Sequence, residues 1–258
     1  MPLFENFTTL NWALLAGIIL FAGLVHGTLG IGFPLMATPL IAMMTDVRSA
    51  MVMLLLPTLC INLANVLRGG NWHRSIGRFW PMALWGAAGS LLGTHLLVVT
   101  DPAPYRLLLA GAILLYLNVH RFGMRMEWIR RRPNLAVSVF GLAGGILAGT
   151  VNVMLPALVI FALEMGLAPT AMIQTFNFCF LCGKIAQGVV FAASGILSAP
   201  ILAATLPLAV AGLAALSAGM VFRSRIEEQV YRGWLRKVLF LLSMLLIGQY
   251  CASLEIRF

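Results

Sequence analysis

Residues 22–44, AGLVHGTLGIGFPLMATPLIAMM, set four glycines and two prolines inside an apolar stretch, and residues 141–165, GLAGGILAGTVNVMLPALVIFALEM, do something similar in the second half of the chain, with four glycines and one proline. In hydrocarbon every backbone N–H and C=O needs a partner, so unwound backbone survives only where protein or a polar cavity surrounds it. A chain that interrupts its apolar segments at corresponding places in two halves reads as a transporter, with its site at the interruptions.

Composition supports a membrane setting. Of 258 residues 61% are apolar and 10% charged, too little polar surface to cover a soluble globule. Apolar runs long enough to span recur at 49–67, 79–99, 105–120, 169–191, 199–222 and 236–254. Alternating ten-residue segments are absent, which excludes a β-barrel. The fold class is therefore an all-α polytopic membrane protein. The net charge of +9 is not a nucleic-acid signal, because the basic residues lie in short connectors: Arg68, Arg74 and Arg78; Arg121, Arg125 and Arg130 to Arg132; Arg223, Arg225, Arg232, Arg236 and Lys237. MPLFENFTTLNW lacks a basic n-region and a small-residue cleavage site, so no signal peptide is expected. Cys60, Cys179, Cys182 and Cys251 fall within predicted spans, where a thiol packs as a small apolar group.

The arginine-rich loops also count crossings. If the interrupted segments 12–44 and 134–165 each cross an even number of times, the loops at 68–78, 121–133 and 223–235 share one side, as the positive-inside rule requires. Each segment then reads as two short passes about an unwound turn, or as a re-entrant hairpin. The expected organisation is two inverted repeats of about five helical segments each. The first repeat is 1–120, with broken segment 12–44 and helices 49–67, 79–99 and 105–120. A basic cytoplasmic connector occupies 121–133. The second repeat is 134–258, with broken segment 134–165 and helices 169–191, 199–222 and 236–254. In the letters, Thr45–Met51 aligns with Gly166–Met172, Pro39 with Pro156, and Gly27 and Gly32 with Gly144 and Gly149, given short gaps.

Lys184 lies mid-span, too deep for its stem to snorkel, and a charge at helix centre costs about 2.5–3.5 kcal/mol unless a cavity, partner or ligand offsets it. Gln174, Asn177, Lys184 and Gln187 share one helix face, and Thr58, Asn62 and Asn65 form a matching stripe on 49–67. Interhelical hydrogen bonding, worth about 0.6 kcal/mol each, is the bland reading of such stripes. Each break leads into a short helix whose N-terminus presents unpaired N–H groups and a positive dipole end, and Pro34 suits the first turn of one. With Lys184, these make a small anion the natural ligand. Asn152 adds a side-chain donor, and Gly30, Gly32 and Gly149 permit close backbone approach or, equally, helix packing. His26 and Glu164 are the candidate proton carriers. No metal-ligand spacing, Ser-His-Asp arrangement or P-loop occurs, so neither an enzyme nor a cofactor is expected.

Two Gly-rich breaks, each leading through a proline-containing short helix into a helix start with Ala50-Met51 or Ala171-Met172, in a chain of this length, resemble the TauE/SafE family of sulfite and organosulfonate exporters over about residues 15–250. The family usually carries a denser glycine run followed by Val-Pro, where this chain reads Gly30-Ile31-Gly32-Phe33-Pro34 and Gly149-Thr150-Val151-Asn152-Val153. The resemblance implies a secondary transporter of a small sulfur-containing anion in the bacterial cytoplasmic (inner) membrane, with the lipid bilayer as its setting and an oligomer left open. Proton-coupled uptake of the same anions is the alternative direction. A membrane enzyme or assembly factor is the alternative of another class.

Overall fold

Caps and prolines set most helix starts. The computed structural model describes residues 4, 7–70, 72–73, 75–119, 126–223 and 228–255; the side chains of 169, 228–232 and 254–255 are not described. Of the basic connector residues named above, Arg74, Arg121, Arg125 and Arg225 lie outside the described residues, as does the Arg232 side chain. The Thr8 side chain accepts from the Asn11 N–H at 3.3 Å to open α1 (Thr9–Leu29), and Gly30 closes it. Then follow α2 (Phe33–Met44), α3 (Val47–Met53), α4 (Leu55–Arg68), α5 (Ile76–Val99) and α6 (Tyr105–Asn118). A single turn, α7 (Glu127–Arg131), lies in the connector. The second half holds α8 (Pro133–Val151), α9 (Leu155–Glu164), α10 (Pro169–Ala193), α11 (Ala199–Phe222) and α12 (Glu228–Glu255).

Among the described residues there are twelve helices and no strand. Six of them, α1, α5, α8, α10, α11 and α12, are long and apolar enough to cross a membrane, and α3 and α4, bent by 52° from each other, reach that length and hydropathy only together. The protein is a polytopic all-α membrane protein.

Several expected boundaries change, for identifiable reasons. The run 49–67, read as one helix, bends at Leu54, because Pro57 has no N–H to give and its ring crowds the carbonyl of Met53. Neither interrupted segment is a pair of short helices: in each, a long helix is followed by a short one. The 21 residues of α1 reach about 31 Å, whereas the 12 of α2 and the 10 of α9 cover about 18 and 15 Å. Pro34 and Pro156 each lie in the first turn of a short helix, while Pro39 lies inside α2.

Helix starts recur at a near-constant spacing without the expected gaps: Phe33 and Leu155 are 122 residues apart, Val47 and Pro169 122, Ile76 and Ala199 123, and Tyr105 and Glu228 123. Packing follows an exchange pattern. The helix opening each half packs on the other half's fourth segment, α1 on α11 and α8 on α5, while α4 meets α10 and α6 meets α12. Contacts fix their directions. Gly69 abuts Gln174, Asn65 lies by Asn177, and Thr58 shares a pocket with Lys184, so α4 and α10 run antiparallel. Gly89 meets Ile146 and Gly93 meets Thr150, so α5 and α8 run parallel.

Arginines hold the far ends of both short helices. Arg106 donates to the Thr45 carbonyl at the end of α2 at 2.7 Å, and Arg130 to the Glu164 carbonyl at the end of α9 at 2.7 Å. A cation beside these unpaired carbonyls also opposes the negative end of the helix dipole.

Candidate functional site

The N-terminal ends of α2 and α9 reach one small pocket. Pro34 and Met154 line it with Thr58 of α4, Ser90 of α5, Asn152, and Lys184 and Gln187 of α10; Ala148, Phe180 and Gly183 close it. The space open to a water's centre is about 10 Å³, room for roughly one water molecule. A multi-atom ligand fits only when the walls move.

Lys184 is 5% exposed, and its ammonium donates to Gln187 Oε1. Gln187 in turn donates to the Ala148 carbonyl at 3.4 Å. Among the described residues no carboxylate pairs with Lys184. Ser90 Oγ donates to the Gly183 carbonyl at 2.8 Å, and the buried Thr58 hydroxyl has no partner. Asn152 takes the left-handed conformation at φ 64°, and its Nδ2 donates to Thr38 Oγ1 at 2.8 Å, tying the second break to α2.

A second polar group lies along α4 and α10. The Phe33 N–H donates to His26 Nδ1 at 3.0 Å, and His26 Nε2 is 2.6 Å from the Asn65 amide. A neutral ring that accepts at Nδ1 carries its proton on Nε2, so Asn65 must turn its oxygen toward it. Asn177 Nδ2 donates to the carbonyls of Gly30 and Ile173, both at 2.8 Å. Farther along, Gln174 donates to the Gly69 carbonyl at 2.8 Å and accepts from the Ser75 hydroxyl. Asn62, on the same face of α4, is 0% exposed, and neither of its side-chain polar atoms has a partner.

The residues singled out by sequence thus divide. Lys184, Gln187, Thr58 and Asn152 converge on the pocket. Asn65, Asn177 and Gly30 join His26 in the seam, where His26 serves as a cap for α2. Gly149 packs on α5, since a methyl placed there would lie 2.5 Å from the Ser90 oxygen and 2.7 Å from the Thr94 nitrogen. Glu164 sits at the end of α9 away from the pocket. Ser90 was missed, although a hydroxyl in the middle of an apolar run, one turn before Thr94, was a usable signal. Among the described residues no group of His, Cys, Asp and Glu is placed to hold a metal.

A family model described as sulfite exporter TauE/SafE matches residues 15–250. The chain belongs to this family. No curated protein and no solved structure matches it significantly. The TauE/SafE match accounts for both breaks and every long helix in one unit, and it agrees with the transport reading of the interruptions.

Proposed function

We propose that this TauE/SafE protein is a secondary transporter that moves a small anion, sulfite or an organosulfonate, outward across the bacterial cytoplasmic membrane, with its basic loops inside. The observation that carries the reading is Lys184: an ammonium buried in mid-helix with a neutral partner and, among the described residues, no carboxylate, in a pocket that Met154, the N-cap residue of α9, also lines. A fixed positive charge and a helix N-terminus facing one small space are complementary to an oxyanion. Thr58 and Ser90 add hydroxyls at the rim, and Gln187 holds the ammonium until the anion replaces it.

The two halves, 1–120 and 134–258 about the connector 121–133, act as inverted repeats. The 122–123-residue spacing of helix starts, the exchanged pairing of α1 with α11 and α8 with α5, and the antiparallel run of α4 against α10 support this arrangement. Rocking of one half on the other would open the pocket alternately. Each negative charge moved outward gains about 2.3 kcal/mol per 100 mV, so export needs no nucleotide. Proton-coupled uptake draws little support, since both nitrogens of His26 are engaged and Glu164 ends a helix about 15 Å long that starts at the pocket.

Reconstitution in lipid vesicles with sulfite as the probe tests the reading. Lys184→Ala should abolish sulfite flux while the protein stays folded, and flux at the wild-type rate would overturn the role given to Lys184.

A further inference from the structure

The Lys184 pocket has a counterpart in the first half. Under the 122-residue spacing of α3 and α10, Lys184 and Gln187 correspond to Asn62 and Asn65 of α4, and Met154 at the second break corresponds to Gly32 at the first. Met154 and Lys184 line one pocket. Their counterparts are left unfilled and unpaired: a methyl placed on the buried Gly32 would meet no atom within 4 Å, and both polar atoms of the Asn62 amide lack partners at 0% exposure. Thr58, one turn away on the same face, has an orphan hydroxyl and faces Lys184 across the pocket, so the unpaired groups run on from the site already described.

Leaving a buried polar group unsatisfied destabilises the fold, and a leucine of similar volume would avoid that cost. The cost is offset if a ligand passes. We propose that Asn62, with Thr58, forms a second, uncharged station for the anion, one helical turn from Lys184 toward the Gly69–Gln174 end of the α4–α10 seam. An amide offers two N–H donors and one carbonyl acceptor. It is therefore matched by a small oxyanion that still carries one proton, whose bare oxygens accept from Nδ2 while its own hydrogen is donated to Oδ1. The absence of fixed charge makes this station weak, which suits a step the anion must leave quickly. The proposal rests on the transport reading.

The experiment uses the full chain in vesicles of phosphatidylethanolamine and phosphatidylglycerol, with equilibrium binding and flux of radiolabelled sulfite measured on the wild type, Asn62→Leu, Asn62→Ser and Lys184→Ala. Asn62→Leu should bind sulfite within about twofold of wild type and unfold at the same or a higher temperature, yet lose about tenfold in flux, the loss expected from one hydrogen bond to a charged group. Asn62→Ser, which keeps a donor and an acceptor, should recover part of that flux. Wild-type flux in Asn62→Leu overturns the second station while leaving the Lys184 reading intact. A flux loss matched by an equal loss of binding also overturns it, because Asn62 would then only support the Lys184 pocket. If the wild type binds no sulfite, or Lys184→Ala binds it as the wild type does, the transport reading falls and the station with it.

Discussion

The two breaks share a frame and differ in what they do with their polar groups. At the first, Gly30 takes the left-handed conformation and His26, one turn back, occupies the leading N–H of α2. At the second, Asn152 takes that conformation and the position 122 residues after His26 is Ala148, so α9 begins with no side-chain cap. The pattern continues on the long helices, where Asn62 and Asn65 of α4 stand against Lys184 and Gln187 of α10. One half satisfies its helix end internally and carries no charge there; the other leaves a helix N-terminus open beside an ammonium. In the proposed repeats, binding strength is thus concentrated in one half while the scaffold is common to both.

The most damaging way to test the common scaffold is to fill its close approaches. A methyl on Gly27 would run into the Leu216 carbonyl and lie 2.9 Å from the Gly219 Cα; one on Gly149 would lie 2.5 Å from the Ser90 oxygen. In both cases the obstacle is backbone, which cannot turn aside. Gly27→Leu and Gly149→Leu should each destabilise by about 3 kcal/mol or more, read as loss of folded protein in detergent. Gly17→Ala, with no atom within 4 Å of the added methyl, should leave the unfolding temperature unchanged or slightly raised. A tolerated Gly149→Leu beside a lethal Gly27→Leu would show that the two helix crossings are not equivalent.

The next test addresses the difference at the helix ends. His26→Ala removes the acceptor for the Phe33 N–H and the donor to Asn65, both buried. Leaving them unpaired should cost about 2 kcal/mol, measured by thermal unfolding, with no rescue by charge screening in added salt because the interaction is between neutral groups. A silent His26→Ala would mean that the first break does not depend on its cap.

Much of this was legible because hydrocarbon leaves few options. The all-helical apolar character, the two interruptions and Lys184 as a deep charge follow from single-residue rules, whereas the run 105–120, read as a span, is the 14-residue α6, too short to count among the six long helices. What was hidden depends on relations between segments. Pro57 was readable as a kink, yet lay inside a run that hydropathy joins. The like placement of Pro34 and Pro156 was obscured because Pro39 also precedes an apolar run, and only helix starts show which proline occupies a first turn. Asn65 and Asn177 carry the same letters as pocket residues, but the crossing of α4 and α10 brings them to His26 and Gly30 and not to Lys184. Ser90 enters the pocket because α5 packs on both α8 and α10, a three-helix contact that no local pattern encodes.

The smallest effect separates two contributions of Asn152, its side-chain bond and its backbone conformation. Asn152→Gly keeps the left-handed φ of 64° without strain and loses only the 2.8 Å bond to Thr38 Oγ1, so it should cost about 1 kcal/mol. Asn152→Ala loses the same bond and adds the left-handed penalty of about 1 kcal/mol for a residue with a Cβ and no polar arm. Unfolding midpoints of the pair should therefore fall in the order wild type, glycine, alanine. Equal loss in both would place the whole contribution in the link to Thr38, making the second break a clamp on α2. A loss confined to alanine would reduce Asn152 to what Gly30 supplies at the first break, a residue that lets the chain turn.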